Sequence, residues 1–493
     1  MSPTSPRVAL FWSFAERYLG LMISIASTMV LARLLTPGEV GIYSMCAAFT
    51  AVAGILRDFG VSEYIIQEKN LTREKLRSAY AVAFIVAWSI GAIAFASRDV
   101  MATFYREPRV AEVMLVLTLH FLILPLSSPT FALLNRQLAF RQVFFLQLAC
   151  NSAQAATSLV LAALGFGVLS LAWGPIANVA TQTVILALLR PRDLLILPGL
   201  AQIRTVLRFG SMFVASRTIE VLTRNVHEPL LGKFYDFASV GLFSRAFGLI
   251  ELFNANVTHA VVRVATPAFA AAHRVGDPLG QVFIRTTAIF TGAAWPFFGV
   301  VAVTADLIIS VMFGSQWLRA APIASWLALG MVPYSLTALA PQLMAATGHV
   351  KRRLRVTLMY CPVHIAAVLI ALPHSLEAVA ASWTISFSVQ ALLYGRQLRE
   401  ALRVRTRDLL RACVTSALVA AFVTLSCAAV AALLHVQGVP PLLSLVACLG
   451  ISALVWLLSA WALGHPAFAE FRRAIESVRR RRAAGTPLPK NGS

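Results

Sequence analysis

Residues 209–254 read FGSMFVASRTIEVLTRNVHEPLLGKFYDFASVGLFSRAFGLIELFN, and the fold is decided by how this run is understood. It is apolar enough to lie in a membrane, yet it carries Arg217, Glu220, Arg224, His227 and Glu228. At about 100° per residue these five positions fall within about one third of a helix circumference. Hydrocarbon tolerates charge poorly, so such a stripe must face a water-filled cavity or paired partners. A substrate-facing cavity is one reading; a salt-bridge seam between packed helices is the other.

The same run holds the key to the architecture. Val240-Gly241-Leu242-Phe243-Ser244, with Lys233 upstream, matches Val40-Gly41-Ile42-Tyr43-Ser44, with Arg33 upstream, at a constant offset of 200 residues. Arg217 falls opposite Arg17 at that same offset. Agreement of a basic residue, a glycine, an aromatic and a serine points to an internal duplication.

Of the 493 residues, 58% are hydrophobic and 13% charged, which excludes an ordinary soluble domain and implies a polytopic helical membrane protein. A net charge of +21 would suggest nucleic acid in a soluble chain. Here the basic residues sit between apolar segments, where they act as topology signals, and no nucleic-acid partner is expected. The six cysteines lie in apolar runs without metal-ligand spacing and are expected as small core residues, with no metal site. The first apolar run is too long for a signal-peptide core and holds Glu16-Arg17, so it is expected to remain as a membrane helix.

A span needs about 20 mostly apolar residues. Fourteen segments qualify, six of them at 9–32, 39–59, 76–97, 110–133, 142–164 and 169–190. Six more follow at 205–231, 238–261, 281–304, 319–345, 354–372 and 376–397, and the last two are 412–436 and 440–463. The expected organisation is a six-helix bundle over 1–190, a linker at 191–204 and a second bundle over 205–398. A basic linker at 399–411 leads to helices 13 and 14 over 412–464 and a basic tail from 465 to 493. With the N-terminus in the cytoplasm, 32 of the 42 Lys and Arg residues fall on the cytoplasmic side, six on the far side and four within helices. That asymmetry supports an even helix number and two cytoplasmic termini. Six helices per half place both repeats the same way round, so their symmetry axis runs along the membrane normal with a central cavity between the bundles.

The first helix repeats the theme of the seventh: Ser13, Glu16, Arg17, Gly20, Ser24 and Ser27 share one face. Close packing accounts for serine and glycine in a membrane helix, but not for Glu16 and Arg17. The candidate substrate-binding set is therefore Arg17, Arg217, Arg224, Glu16, Glu220 and Ser24. Guanidinium offers a planar fork of donors that fits phosphate oxygens. His227 and Glu228 are candidates for ion coupling. No nucleotide loop, HExxH or GxSxG motif occurs, and the far-side loops are too short for a catalytic domain. A transporter without cofactor or catalytic residues is expected, rather than an enzyme such as a membrane glycosyltransferase or polymerase.

Arg224-Asn225-Val226-His227-Glu228-Pro229-Leu230-Leu231-Gly232-Lys233, with Val240-Gly-Leu-Phe-Ser-Arg-Ala, resembles the seventh and eighth helices of bacterial polysaccharide exporters. So do Leu31-Ala-Arg-Leu-Leu-Thr-Pro-Gly-Glu-Val-Gly-Ile-Tyr-Ser and Phe313-Gly-Ser-Gln-Trp-Leu. These are the Wzx-type flippases of the multidrug/oligosaccharidyl-lipid/polysaccharide exporter superfamily. The resemblance implies two six-helix bundles in the bacterial inner membrane and alternating access. The implied cargo is an undecaprenyl-pyrophosphate-linked oligosaccharide, moved to the periplasmic leaflet for lipopolysaccharide, capsule or exopolysaccharide, with polysaccharide polymerase machinery as a candidate partner. A drug or cation exporter of the same superfamily is the alternative, and several cavity arginines would repel its cargo. The chain departs from the pattern at His227-Glu228, where related sequences tend to carry an aspartate.

Overall fold

The computed structural model describes residues 6–194, 196–402 and 404–483. Within these, the side chains of 6–11, 13, 212, 213, 215–217, 220, 350, 474, 475 and 477–483 lie outside the description. The described residues form helices and short connections, as hydrocarbon requires, because a helix satisfies its backbone polar groups within one segment. Twelve helical stretches among them are long and apolar enough to cross a membrane. The expected spans 205–231 and 238–261 fall outside those twelve; both are helical, the first carries the charged stripe, and the second carries Arg245 and Glu251. The chain packs as two compact units, one of 1–244 with 312–317, the other of 245–311 with 318–493.

The first unit begins with α1 (Pro6–Leu34), α2 (Pro37–Asp58), α3 (Val61–Gln67), α4 (Arg73–Tyr105) and α5 (Arg109–Arg136). It continues with α6 (Phe140–Ala163), α7 (Val168–Leu189), α8 (Pro191–Leu194), α9 (Ile203–Asn225), α10 (His227–Phe234) and the first turns of α11 (Phe237–Phe253). Thr36 starts α2 with a capping box: its hydroxyl accepts the Glu39 N–H at 3.4 Å, and the Glu39 carboxylate takes the Thr36 N–H at 2.8 Å. Asp236, 200 residues after Thr36, caps α11 by accepting the Ser239 N–H at 2.8 Å. Phe59 and Gly60, both left-handed at φ 42° and 65°, separate α2 from α3. The expected span 205–231 is interrupted at Val226, and the cause is Pro229, which has no N–H to offer the Asn225 carbonyl.

In this unit the repeat-matched residues meet. A methyl group on Gly41 would overlap the Phe237 carbonyl oxygen, and one on Gly241 would overlap that of Pro37. Only glycine at both places lets α2 and α11 cross backbone to backbone. Beside the crossing, the Ser44 and Ser244 hydroxyls stand 2.8 Å apart. The Phe313-Gly-Ser-Gln-Trp stretch also packs here, with the fully buried Trp317 donating its indole N–H to the Ala32 carbonyl at 2.7 Å. Gln316 donates to the same carbonyl at 2.6 Å.

The second unit takes the remainder of α11, a π-turn at Asn254–Thr258, α12 (His259–Val275), α13 (Leu279–Phe313, less its last two residues), α14 (Ala321–Thr337) and α15 (Ala340–Ala346). Then come α16 (Val350–Ala371), α17 (Leu376–Leu402), α18 (Thr406–Ala412), α19 (Val414–Val436), α20 (Pro441–Ala462) and α21 (Pro466–Ala483). The closest packing is of α14 on α17, α19 on α20 and α16 on α17. Val300 of α13 joins Val419, Val423, Cys427, Cys448 and Ala460 in one apolar cluster. Where α20 ends, His465 is buried: its Nδ1 accepts the Ala467 N–H at 3.1 Å, so Nε2 carries the proton and donates to Ser416 Oγ at 2.9 Å. The six cysteines are free thiols.

Candidate functional site

The candidate residues of the first unit sit on three helices. Glu16 and Arg17 are half-buried neighbours on α1, and Ser24 is exposed two turns further on. Arg224 is half-buried in the last turn of α9. The side chains of Arg217 and Glu220, on the same helix, lie outside the described residues. The two arginine-bearing helices pack on different partners: α1 on α6, and α9 on α2, α3 and α4.

The neighbours of α1 show what faces Glu16. Trp12 lies 5.0 Å from the Phe144 ring, and a methyl on Gly20 would stand 3.2 Å from the Asn151 side-chain nitrogen. Residues 12, 16 and 20 share one stripe at i, i+4 spacing, so Glu16 lies on the α6 side of its helix. On α6 the polar residues Gln147, Asn151 and Gln154 recur at helical spacing, and Gln154 accepts from Asn178 of α7 at 3.1 Å. Farther along α7, Gln182 donates to Ser127 of α5 at 3.2 Å. This amide ladder was not among the candidates drawn from the sequence, although its i, i+4, i+7 pattern within an apolar span was readable there.

His227 and Glu228 are both buried, at 0% and 9% exposure. The His227 ring packs on Phe243 at 4.8 Å between centroids. Glu228 is hydrogen-bonded to Ser244, whose hydroxyl also meets that of Ser44. One chain of polar contacts thus joins α10, α11 and α2 at the glycine crossing. The structure brings Glu228 to the crossing through Ser244, a residue the sequence had marked only as part of the repeat.

Charged and amide side chains on intramembrane helices, in a multi-helix chain with an internal repeat, define a polytopic membrane protein with a polar interior. The model of the polysaccharide biosynthesis protein family matches residues 30–322, and the chain belongs to that family. It is 24% identical over 335 residues to the teichuronic acid biosynthesis protein TuaB of Bacillus subtilis, a match covering 64% of this chain and 66% of that protein. To the lipopolysaccharide biosynthesis protein WzxC of Escherichia coli it is 22% identical, over 63% of this chain and 64% of the relative. The matched stretch therefore spans just under two thirds of either relative. Among solved structures, the fold matches the lipid II flippase MurJ in an inward closed conformation, with a TM-score of 0.73 at 13% identity, over 92% of this chain and 98% of that one. An inward-facing multidrug resistance MATE transporter of the MOP superfamily matches with a TM-score of 0.61 at 13% identity, over 80% and 99%. These likenesses carry the fold of that superfamily.

Proposed function

We propose that the chain flips a polyprenyl-pyrophosphate-linked oligosaccharide from the cytoplasmic to the periplasmic leaflet of the bacterial inner membrane by alternating access. The observation that carries the reading is the half-buried Glu16–Arg17 pair on α1, set beside the amide ladder of α6 and α7. A pyrophosphate needs fixed cations, and a sugar needs amide donors and acceptors; this unit presents both within membrane-spanning helices. Arg17, Arg217 and Arg224 hold the pyrophosphate, with Glu16, Glu220 and Ser24 around them, and His227 and Glu228 serve ion coupling. The two six-helix repeats, 1–190 and 205–398, supply the moving bundles, and the polyprenyl tail stays in lipid. The relatives' roles in teichuronic acid and lipopolysaccharide biosynthesis support a surface-polysaccharide cargo.

The test is complementation of a flippase-deficient strain with single and double variants, reading surface polysaccharide and membrane abundance together. Arg17→Ala and Arg224→Ala should abolish export at normal abundance. Arg→Lys should restore only part, because an ammonium cannot make the bidentate fork. If the arginines instead form a seam with Glu16 or Glu220, single changes strand a buried partner at about 3–5 kcal/mol and lower abundance. In that case, removing an arginine together with its glutamate would restore both abundance and export, and the binding role would fall.

A further inference from the structure

A cavity of about 390 Å³ opens at one end of the second unit, and the function proposed above makes no use of it. Its walls come from the first turns of α13 and from the chain that joins α17 to α18. Leu279, Ile284, Leu402 and Val404 supply apolar surface, while Gln281, Arg405 and Asp408 supply the polar groups. The two walls touch: a methyl on Gly280 would stand 3.2 Å from Val404 Cγ2 and 3.7 Å from the Leu402 carbonyl oxygen. Val404 is buried, and its N–H donates to the Leu398 carbonyl at 3.3 Å, so the second wall is fixed by the end of α17.

Helix length sets the level of this cavity in the membrane. The 35 residues of α13 rise by about 50 Å, against about 30 Å of hydrocarbon and about 40–45 Å with the headgroup layers included. Its first turns carry Gln281 and Arg285 and therefore lie among headgroups, with Arg405 and Arg407 across from them. Apolar walls at that level meet lipid on one side and water on the other.

The charges at the rim are of both signs and are unspent. The Asp408 N–H donates to the Arg405 carbonyl at 3.0 Å, which holds the two residues on one turn. Both side chains are exposed, and neither makes an ion pair with the other or with any other described residue. Elsewhere in this unit carboxylates are taken up: Glu400 by Arg352 and Arg396, Glu470 by Arg285 and Arg473, and Glu476 by Arg472. Asp408 beside the cation disfavours a purely anionic guest, and the apolar walls disfavour a small soluble one. A zwitterionic lipid meets all three conditions. We propose that this cavity binds a phospholipid with a primary ammonium headgroup, phosphatidylethanolamine being the simplest. The guanidinium fork of Arg405 takes the phosphate oxygens. The ammonium, with three N–H donors, reaches the Asp408 carboxylate and the Gln281 amide oxygen. The first methylenes of the chains cover Leu279, Ile284, Leu402 and Val404, and the chains continue into the bilayer.

The measurement is the thermal unfolding of purified full-length protein in detergent, titrated with phosphatidylethanolamine, phosphatidylcholine or phosphatidylglycerol and without any lipid-linked sugar. The melting temperature should rise and saturate at a phosphatidylethanolamine concentration at least about fivefold below that of the other two lipids. Phosphatidylcholine has no N–H to donate, and phosphatidylglycerol brings no cation for Asp408. Soluble phosphoethanolamine, the same headgroup without chains, should not stabilise at matched concentration. Arg405→Gln should weaken the response to all three lipids. Asp408→Asn should invert the order, with phosphatidylglycerol now ahead of phosphatidylethanolamine, an outcome that general destabilisation does not produce. Arg407→Gln, at a position that does not line the cavity, should keep the parental order. Native mass spectrometry of the unmodified protein, counting the lipid retained from an equal mixture of the three, gives a second reading should the variants fail to fold. Equal responses to the three lipids, equal stabilisation by soluble phosphoethanolamine, or a parental lipid order in Asp408→Asn would overturn the site. Because cargo plays no part in these assays, their failure is separable from failure of the flippase reading.

Discussion

The glycine crossing of α2 and α11 offers the sharpest perturbation. In Gly41→Ala the new methyl would overlap the Phe237 carbonyl oxygen and stand 2.7 Å from its carbon and 2.9 Å from the Gly241 nitrogen. Carbon–oxygen contacts are ordinary at about 3.3–3.6 Å, so clearing the carbonyl oxygen parts the helices by about 1.5–2 Å. Overpacking of this kind costs about 1–3 kcal/mol. Alanine in place of glycine returns about 0.5–1 kcal/mol through the helix itself. At the midpoints of these ranges the clash wins by about 1.3 kcal/mol, and at 1.4 kcal/mol per decade the closed crossing loses about eightfold in population. Gly54→Ala on the same helix is the control: its methyl meets nothing within 4 Å, so it should gain the helix term alone.

The assay is a cysteine pair, Ser44→Cys with Ser244→Cys, in native membranes. The two hydroxyls are 2.8 Å apart, which suits the Cβ separation of about 3.5–4.5 Å that a disulfide needs. Mild oxidation should cross-link the pair and stop export, and reductant should restore it. Adding Gly41→Ala should slow cross-linking, whereas Gly54→Ala should not. Parental cross-linking in the Gly41→Ala background would refute the claim that only glycine permits this backbone contact.

Trp317→Phe removes the indole donor to Ala32, whose carbonyl keeps the Gln316 donor; a loss of about 0.5–1.5 kcal/mol should appear as a lowered melting temperature at unchanged helix content. At the end of α20, burial holds the His465 imidazole below its ordinary pKa. Its neutral form is then favoured by the fold, so its contribution is complete above about pH 6.5 and is lost as pH falls through the lowered value. The melting temperature of His465→Gln should accordingly depend less on pH between 7 and 5 than that of the parent, and equal slopes would dismiss the assignment. For orientation, a reporter active only in the periplasm, fused after Ser493, should stay silent; a strong signal would overturn the cytoplasmic placement of the termini.

Much of the fold was legible because membrane helices advertise themselves by length and apolarity. The repeat was legible because Gly41 and Gly241 are needed at a backbone contact, and Ser44 and Ser244 share one bond across it. What the sequence hid depends on neighbours far along the chain. Nothing near Glu228 in sequence announces that Ser244 will reach it. The π-turn at Asn254–Thr258 is invisible to hydropathy, since a widened turn changes which carbonyl is met and not how apolar the run is. The break at Val226 had a local cause in Pro229, but proline is so common in membrane helices that it does not by itself mark an end. Trp317 belonged to a recognised motif, yet the motif could not say that its indole would be spent on Ala32.

Glu228 tests whether the crossing and the ion-coupling candidates are one device. Ionised, its carboxylate can only accept, so Ser244 must donate to it and the Ser44 hydroxyl must donate to Ser244. Protonated, it can donate instead, and the order of both hydroxyl bonds can reverse. Glu228→Gln keeps the size and an accepting oxygen but fixes the charge at zero. A purely structural carboxylate, 9% exposed, would be replaced at no loss or at a gain, because the cost of burying charge disappears. Export would then persist with equal or higher thermal stability. If Glu228 must change charge as the crossing opens and closes, Glu228→Gln should keep its abundance and melting temperature while export falls at least about tenfold. Cross-linking of the Ser44→Cys and Ser244→Cys pair in that background cannot report on the serine relay, which those changes remove, so export at constant abundance is the deciding measurement. Parental export by Glu228→Gln would take the residue out of coupling and leave it as part of the packing at the crossing.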